Sequence, residues 1–244
     1  MLADFLRVKD RTLPRLNSDS VTELLPAAVL WDMDGTLVDT EPYWMSAEAD
    51  LVGSFGGNWT QEDGFALVGS GLWHSAAVLQ GRGVELSADE IVQHLTDRVL
   101  DQIRVSVPWR PGAQELLAAV REAGIPTALV TMSIRRMAEH VVSTIPFDAF
   151  DHIVAGDDVT HSKPHPEPYL RGAELIGVDP AMCMAIEDST TGLASAVASG
   201  AVSIGVPLHS PLEHGLGYTI WPSLEGKTFA DLTSVFRLLQ TSVA

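Results

Sequence analysis

Short apolar runs alternate along the chain with segments of helical periodicity, and this alternation restricts the possible folds more than any other feature. Five apolar runs end in polar or small residues, at positions 27–31, 125–130, 153–155, 182–186 and 202–206. Amphipathic segments occupy 113–122, 134–142, 167–176 and 190–198. Strands that alternate with helices in this way form βαβ units, in which the strands lie parallel and are buried on both faces. The sequence therefore predicts an α/β protein with a parallel sheet.

One long interval interrupts the alternation. Residues 43–107 contain no convincing buried strand but several helical segments, one of which opens with Ser87-Ala-Asp-Glu90, the pattern of a capping box. We predict that 43–107 form a helical domain inserted after the first strand, with hinges at 39–42 and 105–112. The core domain would then comprise 25–42 and 108–244, and residues 1–24 would be a peripheral N-terminal extension.

The charge of the chain excludes two general classes of partner. With 32 Asp and Glu against 15 Lys and Arg, the formal charge is -17, while 46% of the residues are apolar. A chain this hydrophobic folds, so the acidity belongs to a globular body. Nucleic acids and anionic membranes both require clustered Lys and Arg, so neither is an expected partner. We expect a small-molecule partner, and no pattern specifies an oligomeric state.

Cysteine content and the N-terminal composition predict a cytoplasmic protein. Cys183 is the single cysteine, which excludes an internal disulfide and fits a reducing compartment. Its neighbours are apolar, which predicts a buried thiol and not a nucleophile. The first residues mix both charge signs without an apolar stretch, so no signal peptide is expected.

Polar side chains follow four of the five predicted strands. They are Asp32 and Asp34 after the first, Thr131 after the second, Lys163 across a short loop from the third, and Glu187 and Asp188 after the fourth. Each has a simpler explanation alone: a helix cap for the threonine, a solvated surface position for the lysine, and charges that favour a helix dipole for the last pair. Because ligands bind at the carboxyl ends of parallel strands, their coincidence there indicates one shared site.

Electrostatics predicts that this site contains a metal. Two carboxylates 4 Å apart repel by roughly 4 kcal/mol at an effective dielectric near 20, so four converging carboxylates require a cation or raised pKa values. Hard oxygen ligands favour Mg²⁺, which also leaves coordination positions for a phosphate oxygen. Lys163 would add a second positive centre on a bound phosphoryl group. The sequence thus predicts a Mg²⁺-dependent phosphate site in an acidic protein.

The motifs and their order resemble those of the haloacid dehalogenase-like hydrolase superfamily, in the subgroup with a helical cap. The matching motifs are Asp32-Met-Asp-Gly-Thr36, Thr131, Lys163-Pro-His-Pro166 and Glu187-Asp188-Ser189. Sugar and polyol phosphatases, phosphoglycolate phosphatases and beta-phosphoglucomutases belong to this subgroup. The resemblance implies a Rossmann-like parallel sheet core, with the inserted helical domain as a cap that closes over the site.

The resemblance also implies a role for each motif in hydrolysis of a phosphate ester. Asp32 would be the nucleophile that forms an aspartyl-phosphate, and Asp34 the general acid and base. Thr131, the backbone of Met132 and Lys163 would hold the phosphoryl group.

The implied Mg²⁺ ligands come from the first and last motifs. They would be the Asp32 carboxylate, the Asp34 backbone carbonyl and Asp188, with Glu187 acting through metal-bound water.

Two other functions are compatible with the motifs. Beta-phosphoglucomutases carry a catalytic His at the start of the cap, where this chain has Trp44, so a simple phosphatase fits better than a phosphosugar mutase. The second alternative, a non-catalytic module that binds phosphate or Mg²⁺, is disfavoured because all four motifs are retained. The Glu41-Pro-Tyr-Trp44 segment resembles that of sugar and polyol phosphatases, which favours a sugar or polyol phosphate as substrate.

Candidate specificity residues lie in the predicted cap. Trp44, Trp73 and His74 are candidates for contact with the leaving group, although a core Trp and a surface His explain the last two equally well. His161 and His165 are four residues apart, but the prolines beside them disfavour the helical face that would align them, so they are not predicted to bind a metal.

Overall fold

All five apolar runs form strands. The computed structural model describes residues 24–215 and 217–243, with side chains to 240, so the predicted N-terminal extension lies almost entirely outside the described residues. The strands are β1 (Ala28–Trp31), β2 (Thr127–Val130), β3 (His152–Val154), β4 (Cys183–Glu187), β5 (Val202–Gly205) and β6 (Tyr218–Ile220). The last was not predicted, because its three half-buried residues form no apolar run.

The six strands form one parallel sheet in the order β3-β2-β1-β4-β5-β6. Strand β1 lies in the middle, where Trp31 pairs with Leu129 of β2 on one side and with Ile186 of β4 on the other. This register brings the carboxyl ends of β1, β2 and β4 side by side. The predicted α/β class with a Rossmann-like parallel sheet is confirmed.

Helices cover both faces of the sheet. They are α5 (Ala113–Glu122), α6 (Arg135–Ser143), α7 (Glu167–Ile176), α8 (Thr190–Ala198) and α9 (Phe229–Val243). The predicted helices at 113–122, 167–176 and 190–198 have these bounds, and the one at 134–142 is shifted by one residue. Helix α9 was not predicted, although Thr228 and Asp231 form a reciprocal cap at its start that could have indicated it.

Four helices fill the interval between β1 and α5. They are α1 (Glu41–Ser54), α2 (Gln61–Phe65), α3 (Leu72–Gly81) and α4 (Ala88–Val105). The Ser87 hydroxyl accepts a hydrogen bond from the Glu90 backbone N–H, which is the predicted capping box. Helix α4 buries a stripe of apolar residues against α1 and α3. The buried apolar residues of these helices join those of the sheet in one cluster, and the helices lie over the carboxyl edge of the sheet.

The helices in the described part of the chain include none that is both long and apolar enough to cross a membrane.

Candidate active site

The strand-end residues converge on a narrow cavity between the sheet and the helices inserted after β1. The cavity has a volume of about 60 Å³, far below the several hundred Å³ of typical ligand pockets. Core side chains that line it are Asp32, Asp34, Met132, Ser133, Lys163, Glu187, Asp188 and Ser189, and those from the inserted segment include Glu41, Trp44, Glu48, Leu67, Leu72 and Ser75. In this arrangement the cavity has room for an ion or a few atoms and not for a ligand of that size.

Lys163 is the buried cation of the site. Its ammonium Nζ donates to Asp32 Oδ1 at 2.7 Å, to Glu187 Oε1 at 2.6 Å and to the Val130 carbonyl at 2.9 Å. The residue is 4% exposed. Burial alone would lower the pKa of Lys163, but the charges of Asp32 and Glu187 outweigh burial and raise it. Lys163 is therefore a fixed positive charge that joins the ends of β1 and β4.

Asp32 has one carboxylate oxygen bound and one free. Oδ1 accepts from Lys163, whereas Oδ2 is buried without a hydrogen-bond partner. Burial, and next the Glu187 charge, raise the pKa of Asp32 to about 7, against the lowering effect of Lys163. A buried carboxylate oxygen without a donor is costly unless something else binds it. Oδ2 is therefore available to a metal or to a reacting phosphorus.

The acidic residues of the site fit a metal ion. One carboxylate oxygen each from Asp32, Glu187 and Asp188 lie within 4.8 Å of one another. Burial, together with the Asp32 and Glu187 charges, raises the pKa of Asp188. Gly35 has φ +85°, and a Cβ there would lie 2.1 Å from Asp188 Oδ2, so only glycine leaves space for this carboxylate. The oxygen-only donor set is the kind that Mg²⁺ prefers.

Glu187 is held by other residues of the site on both oxygens. Oε1 accepts from Lys163 and from the Tyr169 hydroxyl at 2.9 Å, and Oε2 accepts from the Ser189 hydroxyl at 3.2 Å. A Cβ on Gly192 would lie 1.9 Å from Oε1, so only glycine leaves space for this carboxylate in the first turn of α8. These contacts orient Lys163 through Glu187. Sequence reasoning missed Tyr169, since no motif marks it.

Asp34 receives four hydrogen bonds. Thr40 Oγ1 and Trp44 Nε1 donate to Oδ1 at 2.5 and 3.4 Å. Thr131 Oγ1 and Ser133 Oγ donate to Oδ2 at 3.1 and 2.7 Å. Asp34 is therefore fixed from both sides, by the core through β2 and by the inserted segment through α1.

Two residues predicted to bind phosphate lie at the end of β2. Thr131 is fully buried and its hydroxyl points to Asp34, while Met132 lines the cavity and its sulfur lies 3.4 Å from the Lys163 backbone nitrogen. Ser133, which was not among the predicted site residues, places its hydroxyl at the cavity wall. Its position two residues after Thr131, at the end of the same strand, was the signal that could have identified it.

Arg110 braces the loop that follows β1. The guanidinium is buried and donates to the carbonyls of Gly35, Val206 (2.8 Å) and Pro207 (3.2 Å). Arg110 lies where the chain returns from the inserted helices to the core. Its side chain connects this point to the loops that follow β1 and β5. The sequence predicted a hinge at 105–112 but not this role for Arg110.

The three candidate specificity residues occupy different places. Trp44 lines the cavity and contacts Asp34. Trp73 and His74 instead line a neighbouring groove; Trp73 is 39% exposed and its indole N–H donates to Asp89 at 2.7 Å. The structure does not bring these two into the cavity beside Asp32, because their side chains lie on the outer face of α3. Leu72 and Ser75 of the same helix face inward.

Two other sequence expectations concern residues outside the cavity. Cys183 is buried, and burial raises the pKa of its thiol to about 12, which excludes it as a nucleophile. His161, His165 and Glu167 do come together, with ligand atoms within 4.8 Å, although the two imidazoles stack at 4.5 Å between centroids. His161 Nδ1 is bound to the Glu167 carboxylate at 2.7 Å and His165 Nδ1 accepts from the Glu167 backbone N–H at 3.2 Å, so this cluster is a poor metal site.

Two carboxyl groups on α1 have raised pKa values. Burial raises the pKa of Glu48 to about 7, opposed only by its hydrogen bond from Trp59 Nε1 at 3.2 Å. Burial, and next the Glu48 charge, raise the pKa of Glu41 to about 8. Neither forms an ion pair with a residue in the described ranges.

We predict that Glu48→Gln stabilises the protein at alkaline pH. The unfolded Glu48 ionises near 4.5 and the folded one near 7, so its stabilising contribution, complete below pH 4.5, is lost as pH rises through 7. The isosteric amide keeps an acceptor for Trp59 and removes the buried charge. The gain at pH 8 should be about 2 to 3 kcal/mol, roughly 4 to 12 °C in Tm, and near zero at pH 4.5.

Thermal unfolding at both pH values checks this prediction. Glu62→Gln, at an exposed position of α2, is the matched control and should leave Tm unchanged. An equal effect of Glu48→Gln at the two pH values would contradict the assignment of a buried, ionising carboxyl.

Comparison with known proteins agrees with this geometry. The family model of haloacid dehalogenase-like hydrolases matches residues 26–200. Hexitol phosphatase B of Escherichia coli (strain K12) is 32% identical over 188 residues, covering 74% of this chain and 83% of the relative. Fructose-1-phosphate phosphatase YqaB of the same strain is 31% identical over 186 residues, covering 75% and 97%. The crystal structure of CbbY from Rhodobacter sphaeroides in complex with phosphate has a TM-score of 0.75 and 26% identity, covering 83% and 96%.

The chain belongs to the haloacid dehalogenase-like hydrolase family. Within that family it is a phosphoric monoester hydrolase, as its phosphatase relatives indicate.

Proposed function

We propose that the protein is a Mg²⁺-dependent phosphatase that hydrolyses a sugar or polyol phosphate through an aspartyl-phosphate on Asp32. The single observation that supports this most is the pairing of Asp32 Oδ1 with the buried Lys163 while Asp32 Oδ2 has no partner. A nucleophile needs one oxygen free and a cation beside it for the phosphoryl charge. The hexitol and fructose-1-phosphate phosphatase relatives support the substrate class.

The chain's own residues provide positioning and charge for two in-line steps. Asp32 attacks phosphorus and the ester oxygen leaves with the electron pair of the broken P–O bond. Lys163, already at the site, neutralises charge on the phosphoryl oxygens. Water then attacks the same phosphorus, which releases inorganic phosphate and restores the Asp32 carboxylate.

Asp34 is the group that moves the proton. In its protonated form it donates to the leaving alcohol oxygen, and as a carboxylate it takes a proton from the attacking water. Its hydrogen bonds from Thr40 and Trp44 come from the inserted segment, so the position of that segment orients the acid. This links closure over the substrate to proton transfer.

Asp32, the Asp34 backbone carbonyl and Asp188 would hold Mg²⁺. The ion would supply electrophilic charge to a phosphoryl oxygen and offset the carboxylate cluster. Glu187 has both oxygens occupied by other donors, which fits a role in orienting Lys163 better than a role as a direct ligand.

Metal removal tests this proposal. Hydrolysis of 4-nitrophenyl phosphate should fall at least about 100-fold after treatment with EDTA and return with added Mg²⁺. Mg²⁺ should also raise Tm, because the clustered carboxylates repel one another when no cation is bound between them. Activity that persists in the metal-free protein would contradict the proposed cofactor.

A mutase function is less well supported. Trp44 stands where the mutases of this family carry a catalytic His, and its indole N–H can donate a proton in a hydrogen bond but cannot act as a base at neutral pH. Its contact with Asp34 gives it a different role.

A further inference from the structure

The wall of the catalytic cavity that faces the core carboxylates is itself acidic. Glu41 and Glu48 both line it, seven residues apart and therefore on one face of α1. Glu48 is 5% exposed, and the hydrogen bond from Trp59 reaches only Oε2. Within the described ranges Glu48 Oε1 and both Glu41 oxygens accept no hydrogen bond. These carboxylate oxygens can therefore accept hydrogen bonds from a ligand in the cavity.

A hydroxyl on helix α3 also faces the cavity without a partner in the described part of the protein. Ser75 on α3 is 5% exposed and lines the same cavity. Its hydroxyl forms no hydrogen bond with any residue that the structure describes. Because the hydroxyl opens onto the cavity and no group of the described residues binds it, it is free to bind a group of the substrate. It can donate or accept, as an alcohol ligand requires.

The charges around the cavity limit what the leaving group can carry. Among the described residues that line it, Lys163 is the one cation, and it is bound to Asp32 and Glu187 on the core side. A second phosphate or a carboxylate on the substrate would lie beside Glu41 and Glu48 without a compensating cation, which is repulsive. Hydroxyl groups, in contrast, donate to carboxylates in strong charge-assisted hydrogen bonds.

We propose that Glu41, Glu48 and Ser75 form a leaving-group subsite that binds the hydroxyls of an uncharged, compact polyhydroxylated alcohol and rejects substrates with a second anionic group. Trp44 and Leu72 supply the apolar faces between these polar groups. The subsite rests on the proposed phosphatase function, because it selects the alcohol that the catalytic residues release. The two glutamates then exclude substrates with a second anionic group. A buried, charged Glu48 provides this selectivity and lowers the free energy of unfolding.

Steady-state kinetics at pH 8 on a matched substrate pair tests the subsite. Fructose 1-phosphate and fructose 1,6-bisphosphate differ by one phosphate, which lies in the leaving group whichever end reacts. We expect the wild-type protein with Mg²⁺ to prefer the monophosphate by about 100-fold or more in kcat/KM. Glu48→Gln should reduce this ratio about tenfold, and Ser75→Ala should raise KM for the monophosphate several-fold. Glu62→Gln, on the exposed side of α2, should change neither.

The outcomes separate the subsite from the proposed function. Wild-type protein that hydrolyses neither 4-nitrophenyl phosphate nor the sugar phosphates would refute the phosphatase function. Wild-type protein that hydrolyses 4-nitrophenyl phosphate but consumes the bisphosphate as fast as the monophosphate would overturn the subsite alone. An unchanged ratio in Glu48→Gln, with circular dichroism equal to that of wild type, would also overturn it.

Discussion

Asp32→Asn should reduce hydrolysis of 4-nitrophenyl phosphate by about 1,000-fold or more. The amide nitrogen has no lone pair available for attack on phosphorus, so the first covalent step is lost. In the wild type, Lys163 donates to Asp32 Oδ1 at 2.7 Å, and the amide oxygen of the variant can accept the same hydrogen bond. The variant also removes one negative charge from a cluster in which burial raises the pKa of Asp32 to about 7. The folded state should therefore be at least as stable as that of the wild type.

Initial rates with Mg²⁺, together with thermal unfolding, check both parts of this prediction. Asp148→Asn is a matched control, because Asp148 is an exposed aspartate away from the cavity, and it should keep full activity. If Asp32→Asn retains more than about a tenth of the wild-type rate, Asp32 is not the nucleophile. A large loss of Tm would instead show that the carboxylate has a structural role.

Lys163→Met should lower both stability and activity. Removal of one partner from a buried ionic network typically costs about 3 to 5 kcal/mol, because the remaining charges stay uncompensated. Here those charges are Asp32 and Glu187, whose residues are 5% and 1% exposed. The loss corresponds to roughly 6 to 20 °C in Tm for a domain of this size. Activity should fall by about 100-fold or more, since the phosphoryl group loses its fixed cation.

The stability defect of Lys163→Met should be partly relieved by Mg²⁺ and by lower pH. A divalent cation, or protonation of the raised-pKa carboxyls of Asp32 and Asp188, each removes part of the repulsion. Lys227→Met is the matched control: Lys227 is half-exposed and its ammonium lies 4.9 Å from the centroid of the Trp221 ring, so its loss should cost only about 0.5 to 1 kcal/mol. Equal Tm values for the two variants would contradict the buried-network interpretation.

Much of the fold could be predicted because each core element has a strong local signal. Strands β1, β2, β4 and β5 are apolar runs buried on both faces, and α5, α7 and α8 have complete amphipathic periods. Strand β6 and helix α9 were missed for different reasons. Three half-buried residues carry no periodic signal, whereas the cap at Thr228 and Asp231 was present in the sequence and was not used.

The candidate site was predictable where its chemistry coincides with strand ends. Asp32, Asp34, Lys163, Glu187 and Asp188 could be selected from their positions, since the carboxyl ends of parallel strands meet at one edge. Their assigned roles in binding and catalysis remain predictions.

Residues brought to the site from distant parts of the chain had no such signal. Tyr169 reaches Glu187 from the interior of α7, and Arg110 reaches the Gly35 carbonyl from 75 residues away. Trp73 and His74 show the reverse. The sequence made them candidates for contact with the leaving group, but both lie on the outer face of α3 and line a different groove.

The sequence by itself determined the parallel sheet, the inserted helical segment and the group of strand-end residues. Hydrophobic periodicity and motif order are local properties, so both can be recognised in the sequence alone. Only the tertiary structure decided which oxygen of Asp32 is free, that Lys163 is committed to two carboxylates, and that Glu41, Glu48 and Ser75 face the cavity. These facts depend on how α1 and α3 rotate against the sheet, and a rotation of a helix by one residue position, about 100°, would present a different set of side chains. The proposed substrate preference therefore depends on packing, while the proposed reaction was inferred from the order of the motifs.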